Sequence, residues 1–133
     1  MTIEKTVSEA IHHRRSVRIF DEKKPLDTSR VKKCIEQATL APNSSNMQLW
    51  EFIHVTSKEI IDEIAPLCFN QNAAKTAQQL VVFVVRKDLW KKRAQWNVDT
   101  ITKQSKNNEI SEKRLKQAHA YYKKIIPTLY ADF

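Results

Sequence analysis

Five positions, Arg14-Arg15-Ser16-Val17-Arg18, place three guanidinium groups and a hydroxyl directly after a segment with helical spacing. Along an extended backbone side chains alternate, so Arg14, Ser16 and Arg18 share one side. Guanidinium forks bind phosphate bidentately, and a serine hydroxyl adds a donor. On its chemistry the cluster is a phosphate clamp; the plainer reading is a solvated helix end whose side chains meet water and a stray carboxylate.

Other chemistries are poorly served. His12 and His13 are adjacent rather than four apart, His54 and His119 stand alone, and no Ser-His-Asp, Cys-His or metal-ligand pattern competes. No catalytic side chain and no metal ligand is therefore assigned. Cys34 and Cys68 have no CxxC spacing and no neighbouring His, and are expected to be core thiols in a reducing compartment. The chain contains no glycine, although average usage predicts roughly nine. A P-loop and a dinucleotide-binding GxGxxG both require glycine for tight turns and close backbone approach, so neither is present. Any phosphate must be held by side chains and helix ends.

The elements that position the cluster can be read in turn. Thr6 and Glu9 have capping-box spacing before a helix from about Val7 to Arg14. A second helix, capped near Asp27 and ended by Pro42, has Val31, Cys34, Ile35 and Ala38 on one stripe. The polar loop "NSSNMQ" leads into "LWEFIHV", which alternates as a strand does. Thr56 and Glu59 predict a capping box for a third helix running to about Pro66, and "NQNAAKTAQQ" a short fourth. "LVVFVV", Leu80–Val85, reads as a strand covered on both faces, with neighbours on both sides, and "VRIF" is available as a third strand. From Asp88 onward the spacing is helical, with Ser111, Leu115, Ala118, Tyr122 and Ile125 aligned.

The chain of 133 residues is one domain's length, with 23 basic and 15 acidic residues and a net charge of +8. Residues 86–133 hold 12 basic and 5 acidic side chains, so the excess lies in the tail. The longest apolar run is far too short to cross a bilayer, and a cytoplasmic protein is the expectation.

"RRSVRIFDEKKPLD", "ATLAPNSSNMQLWEFIHV" and "FNQNAAKTAQQLVVFVV" occur in that order, and together they resemble the N-terminal half of the nitroreductase family of FMN-dependent NAD(P)H oxidoreductases. The resemblance covers about residues 5–87. It implies an α+β fold with a central mixed or antiparallel sheet flanked by helices. It also implies a cytoplasmic homodimer with FMN at the subunit interface, in which NAD(P)H reduces the flavin and a small electron-poor acceptor, a nitroaromatic or quinone, reoxidises it. Arg14 would bind the FMN phosphate, Ser16 would lie near the ribityl and phosphate, Arg18 near N1 and O2 of the ring, and Arg15 would line the same site. Pro42, Asn43, Ser44 and Asn46 match a loop that reaches the other subunit's flavin, and Asn70 matches an asparagine that hydrogen-bonds the flavin, with Gln71 beside it.

Two departures stand out. Leu49 precedes Trp50 where the family usually has proline, a change in loop stiffness more than in chemistry. The family's second half, with its glycine-containing segment and strand-swapping extension, is not matched, so residues 1–133 are expected to form a single but incomplete nitroreductase-like domain. Two other functions compete: a shortened family member without flavin activity that serves a structural or dimerisation role, and a basic module that binds nucleic acid through Trp90, Trp96, Tyr121, Tyr122 and the surrounding lysines.

Overall fold

A computed structural model describes residues 5–131. Helix α1 spans Val7–His13, and its capping box is complete. Thr6 donates its N–H and its hydroxyl to Glu9 Oε2, both at 2.8 Å, and Thr6 Oγ1 accepts from the Glu9 N–H at 3.3 Å. The Thr6 N–H first, and the Thr6 hydroxyl second, hold the Glu9 carboxyl below its usual range. A depressed carboxylate stabilises the fold above its unfolded pKa, and that contribution is lost as pH falls through the folded value. Acidification below the usual glutamate range, about pH 4, is therefore expected to fray α1 before the rest of the chain. Amide exchange at Ala10, whose N–H is donated to Thr6 O at 2.9 Å, reports it.

Helix α2 spans Thr28–Ala38 and buries no residue. Strand β1, Trp50–Val55, is followed by α3, Lys58–Ile64, a 3-10 turn over Ala65–Cys68, and the single-turn α4, Asn72–Lys75. The cap of α3 is Ser57 rather than Thr56: Ser57 Oγ accepts from the Ile60 N–H at 3.4 Å, because Ser57 is the last extended residue before helical backbone begins at Lys58. Strand β2, Leu80–Val85, leads through a 3-10 turn to α5, Trp90–Lys106. Helix α6, Glu112–Ala120, runs into a π-helical turn, Tyr121–Ile125, and then α7, Ile126–Tyr130.

Among the described residues β1 and β2 form a two-stranded antiparallel sheet. The Arg86 N–H donates to Leu49 O at 2.8 Å, and Phe52 meets Phe83 edge-on at 5.0 Å. The α+β class follows, but two strand-level expectations do not. Residues 17–20 are irregular: the Phe20 N–H goes to the Thr76 hydroxyl at 2.9 Å, so a side chain takes the donor that a sheet ladder would need. β2 is not covered on both faces, since Phe83 and Val85 are 70% and 71% exposed. The two cysteines are likewise exposed rather than core. Helical spacing gives Cys34 a face, but burial needs a second surface, and α2 buries none of its residues.

The chain divides into two compact units, and both strands cross the division. The first comprises residues through Thr28 together with His54–Val81. Its interior holds Val55, Ile61, Ala65, Ala74 and Ala77. Two glutamines stitch its irregular segment to the start of β2. Gln78 Nε2 donates to the carbonyls of Asp21, Glu22 and Lys24 while Gln78 Oε1 accepts from the Leu26 N–H at 2.8 Å. Gln79 Nε2 donates to Leu26 O at 2.8 Å, which leaves Gln79 Oε1 to accept from a protonated Nε2 of His54 at 2.7 Å.

The second unit comprises Ser29–Ile53 and the residues from Val82 onward. Met47, Ala94 and Ile126 form its core, with Leu49, Trp90, Tyr122 and Tyr130 packed around them. Ile126 is buried, whereas Ile125, the residue aligned by helical spacing, is half exposed. The π turn accounts for the change: one extra residue per turn shifts the apolar face by one position just before Pro127, which has no N–H to continue an α-helical ladder. Thr102 spends its only proton on Val98 O at 2.7 Å, so His119 donates from Nε2 to Thr102 Oγ1 at 2.9 Å and ties α6 to α5. No helix among the described residues is long and apolar enough to cross a membrane.

Candidate functional site

The arginine cluster lies in the first unit, where α1 stops. Arg14 has left helical geometry, with ψ 136°, while its N–H still reaches Ala10 O at 3.1 Å. Arg15 folds back: its Nη1 donates to His12 O at 2.8 Å and to Arg14 O at 2.9 Å, serving the unpaired carbonyl end of the helix. Arg14 Nη1 donates to Ser16 Oγ at 3.2 Å. Because Ser16 accepts there, its own O–H remains to donate to a ligand. The ion pairs among the described residues, Lys58–Asp62 and Arg86 with Glu51 and Asp88, leave Arg14, Arg15 and Arg18 out. An exposed set of guanidinium and hydroxyl donors is the chemistry a phosphate monoester requires, and in that respect the residues fit the phosphate end of FMN.

Arg18 lines an open pocket of about 350 Å³ with Gln71, Asn72 and Ala73. Those residues follow Asn70 directly, so the fold brings Arg18 beside the segment carrying the other candidate of this unit. Phe69 and Asn70 both have left-handed backbone, with φ 54° and 53°.

The loop Pro42–Leu49 belongs to the second unit. Ser44–Asn46 form a 3-10 turn, and Ser45, Asn46 and Gln48 have φ of 53°, 50° and 49°. Left-handed backbone costs an L-residue roughly 1–2 kcal/mol, least for asparagine. A chain without glycine meets that cost with hydrogen bonds. Asn43 Oδ1 accepts from the Gln48 N–H at 2.9 Å, Gln48 Nε2 donates to Asn46 Oδ1 at 3.0 Å, and Met47 is buried in the core beneath them. From the tail, Tyr122 Oη donates to Ser45 O at 2.9 Å, Tyr121 Oη and Ser45 Oγ lie 2.6 Å apart, and Asn97 pairs with Asn46. Burial, with Tyr121 adding to it, pushes the Tyr122 phenol above its usual pKa and keeps it a donor at neutral pH. An open groove of about 570 Å³, walled by Trp50, Val85, Leu129 and Tyr130, runs beside Asn43 and Ser44.

Of the residues singled out by sequence, the structure joins Arg14 with Ser16 and places Arg18 beside the Asn70 segment. Pro42, Asn43, Ser44 and Asn46 lie together in the other unit. Leu49, the departure from the family pattern, packs on the Met47 core. Ser45 and Asn97 were not singled out by sequence, and Tyr121 and Tyr122 only as part of a basic nucleic-acid surface; the structure brings all four together at the Asn43–Gln48 loop. The signal available for them was an asparagine-rich loop in a chain without glycine.

Comparison with known proteins places these motifs in context. The oxygen-insensitive NADPH nitroreductase of Helicobacter acinonychis (strain Sheeba) is 33% identical over 73 residues, which is 54% of this chain and 35% of that protein. The crystal structure of a nitroreductase family protein from Streptococcus pneumoniae TIGR4 superposes with a TM-score of 0.61 at 29% identity, over 96% of this chain and 59% of that one. A crystal structure of a protein from Exiguobacterium sibiricum 255-15 in complex with FMN superposes with a TM-score of 0.63 at 24% identity, over 98% and 59%. The match thus spans about a third of the curated relative's length and under two thirds of each structure's chain. The sequence profile of the nitroreductase family matches residues 11–123, across both units, so the phosphate-type donor set, the asparagine loop and the fold have one explanation: the chain belongs to the nitroreductase family.

Proposed function

We propose that this chain binds FMN and acts, as a homodimer in the cytoplasm, in an NAD(P)H-dependent reductase of small electron-poor acceptors such as nitroaromatics or quinones. The observation that carries the reading is the exposed donor set Arg14, Ser16 and Arg18, which shares no ion pair with a carboxylate among the described residues, and of which Arg18 lines a pocket with Gln71, Asn72 and Ala73, directly after the left-handed Asn70. FMN, when bound, supplies two-electron chemistry, taking hydride from NAD(P)H and passing it to the acceptor.

The chain's own residues bind and orient. Arg14 and the Ser16 hydroxyl hold the phosphate, Arg15 fixes the turn from which they project, and Arg18 and Asn70 serve the ring, where a guanidinium stabilises the negative charge that reduction leaves. Pro42, Asn43, Ser44 and Asn46 complete the partner's site. Support for a second copy comes from the apolar sheet face of the second unit, where Trp50 meets Phe52 tilted at 5.2 Å, Phe52 meets Phe83 edge-on at 5.0 Å, and Phe83 and Val85 face solvent.

Arg18→Ala is expected to lower the midpoint potential of bound FMN and slow its reduction while leaving phosphate anchoring largely intact; loss of affinity without a change in potential would move Arg18 to the phosphate. The reading as a whole is tested by reconstituting the purified protein with FMN and adding NAD(P)H anaerobically. A protein-bound flavin spectrum that bleaches, then recovers with a quinone, is expected. Failure to take up FMN would overturn the reading and leave a structural or dimerisation role.

A further inference from the structure

We propose that Tyr121, Tyr122 and Asn97 are positioning residues for the flavin site: they hold the Asn43–Gln48 loop in its left-handed, ligand-ready form, and the π-helical turn lets two consecutive tyrosines reach one loop residue. The inference rests on the FMN reading above.

The loop cannot keep its shape unaided. Three of its non-glycine residues are left-handed, a conformation that isolated backbone leaves for the helical or extended wells. Each is held from outside or across the turn. Ser45 is held twice, its carbonyl by the Tyr122 hydroxyl at 2.9 Å and its side chain by the Tyr121 hydroxyl at 2.6 Å. Asn46 is held by Asn97, which is 4% exposed: Asn97 Nδ2 donates to Asn46 O at 3.0 Å and to Arg93 O at 3.1 Å, and Asn97 Oδ1 accepts from Asn46 Nδ2 at 3.1 Å. Asn46 Oδ1 in turn holds Gln48. The Asn46 side chain is therefore engaged at both ends, by Asn97 of α5 and by Gln48 of the loop, and its part in the site is to carry the lock, leaving Asn43, Ser44 and loop backbone to face a ligand.

The π turn makes the double grip on Ser45 available. In an α-helix consecutive side chains point about 100° apart, so adjacent tyrosines diverge. A wider turn reduces that angle, and here the rings of Tyr121 and Tyr122 meet edge-on at 5.4 Å with both hydroxyls on Ser45. The same widening sets Ile126 rather than Ile125 in the core, so one turn serves both the packing of α7 and the grip on Ser45.

The two bonds on Ser45 use different atoms, which gives the test its logic. Tyr121→Phe and Ser45→Ala remove the same bond, whereas Tyr122→Phe removes one to the main chain that Ser45→Ala leaves intact. Phenylalanine keeps both rings, so the core is preserved. FMN titration, hydrogen exchange over residues 43–48 and thermal melting are measured on the full chain. Each single variant is expected to weaken FMN by about 2- to 10-fold, the reach of one neutral hydrogen bond, with faster exchange confined to the loop. Ser45→Ala with Tyr121→Phe should be no worse than either alone, and Ser45→Ala with Tyr122→Phe should show the product of the two effects.

A lowered melting temperature with FMN affinity unchanged well below it would mean that the tyrosines serve stability only, and would overturn the proposal. So would unchanged loop exchange in Tyr122→Phe. Wild-type protein that takes up no FMN would remove the proposed function, and the ligand role of the lock with it, before any variant is compared.

Discussion

Replacing Ile126 by alanine is expected to destabilise the protein by about 2–5 kcal/mol, the range for truncating a large aliphatic side chain in a packed core. Ile126 has no exposed surface and packs with Met47 and Ala94, so the cavity it leaves has walls drawn from the loop, α5 and α7. Against a typical total of about 5–15 kcal/mol the loss is large. Ile125→Ala is the matched control: half exposed, it should stay within about 0.5 kcal/mol of wild type. Urea unfolding of the two variants distinguishes the registers. If Ile125→Ala were the costlier one, the π turn would be misplaced and the helix would continue in α-helical register through Pro127. Because Met47 anchors the Asn43–Gln48 loop in this core, Ile126→Ala should also loosen the loop, joining core stability to the candidate site.

Arg14→Ala is expected to weaken FMN binding by about 10- to 100-fold, the effect of losing a hydrogen bond to a charged group together with its fork geometry. Arg14→Lys should fall between, since an ammonium keeps the charge but cannot chelate two phosphate oxygens. Added salt screens an exposed cation, so the gap between wild type and Arg14→Ala should narrow as ionic strength rises. Fluorescence titration with FMN at two salt concentrations measures both effects. Equal affinity of wild type and Arg14→Ala would remove Arg14 as the phosphate anchor, and the Arg14–Ser16 bond would then be a helix-end contact with no ligand role.

Local chemistry was legible in the order of residues wherever neighbours in sequence do the work. The Thr6–Glu9 box, the strands at Trp50–Val55 and Leu80–Val85, the helical tail and the Arg14–Ser16 pairing each depend on residues within a few positions of one another, where capping geometry and side-chain period act directly. What tertiary structure alone decided depends on partners far apart in the chain. Cys34 has helical spacing and no surface among the described residues to bury it; Phe20 gives its N–H to Thr76 instead of to a sheet; Ile126, not Ile125, enters the core because the turn before it is wider than the α period. The Ser45 loop is the clearest case. Its asparagines announce left-handed backbone, but the hydroxyls that stabilise that backbone come from Tyr121 and Tyr122, and no spacing rule links positions so distant. Periodicity determines which face a residue occupies, and only packing determines what that face meets.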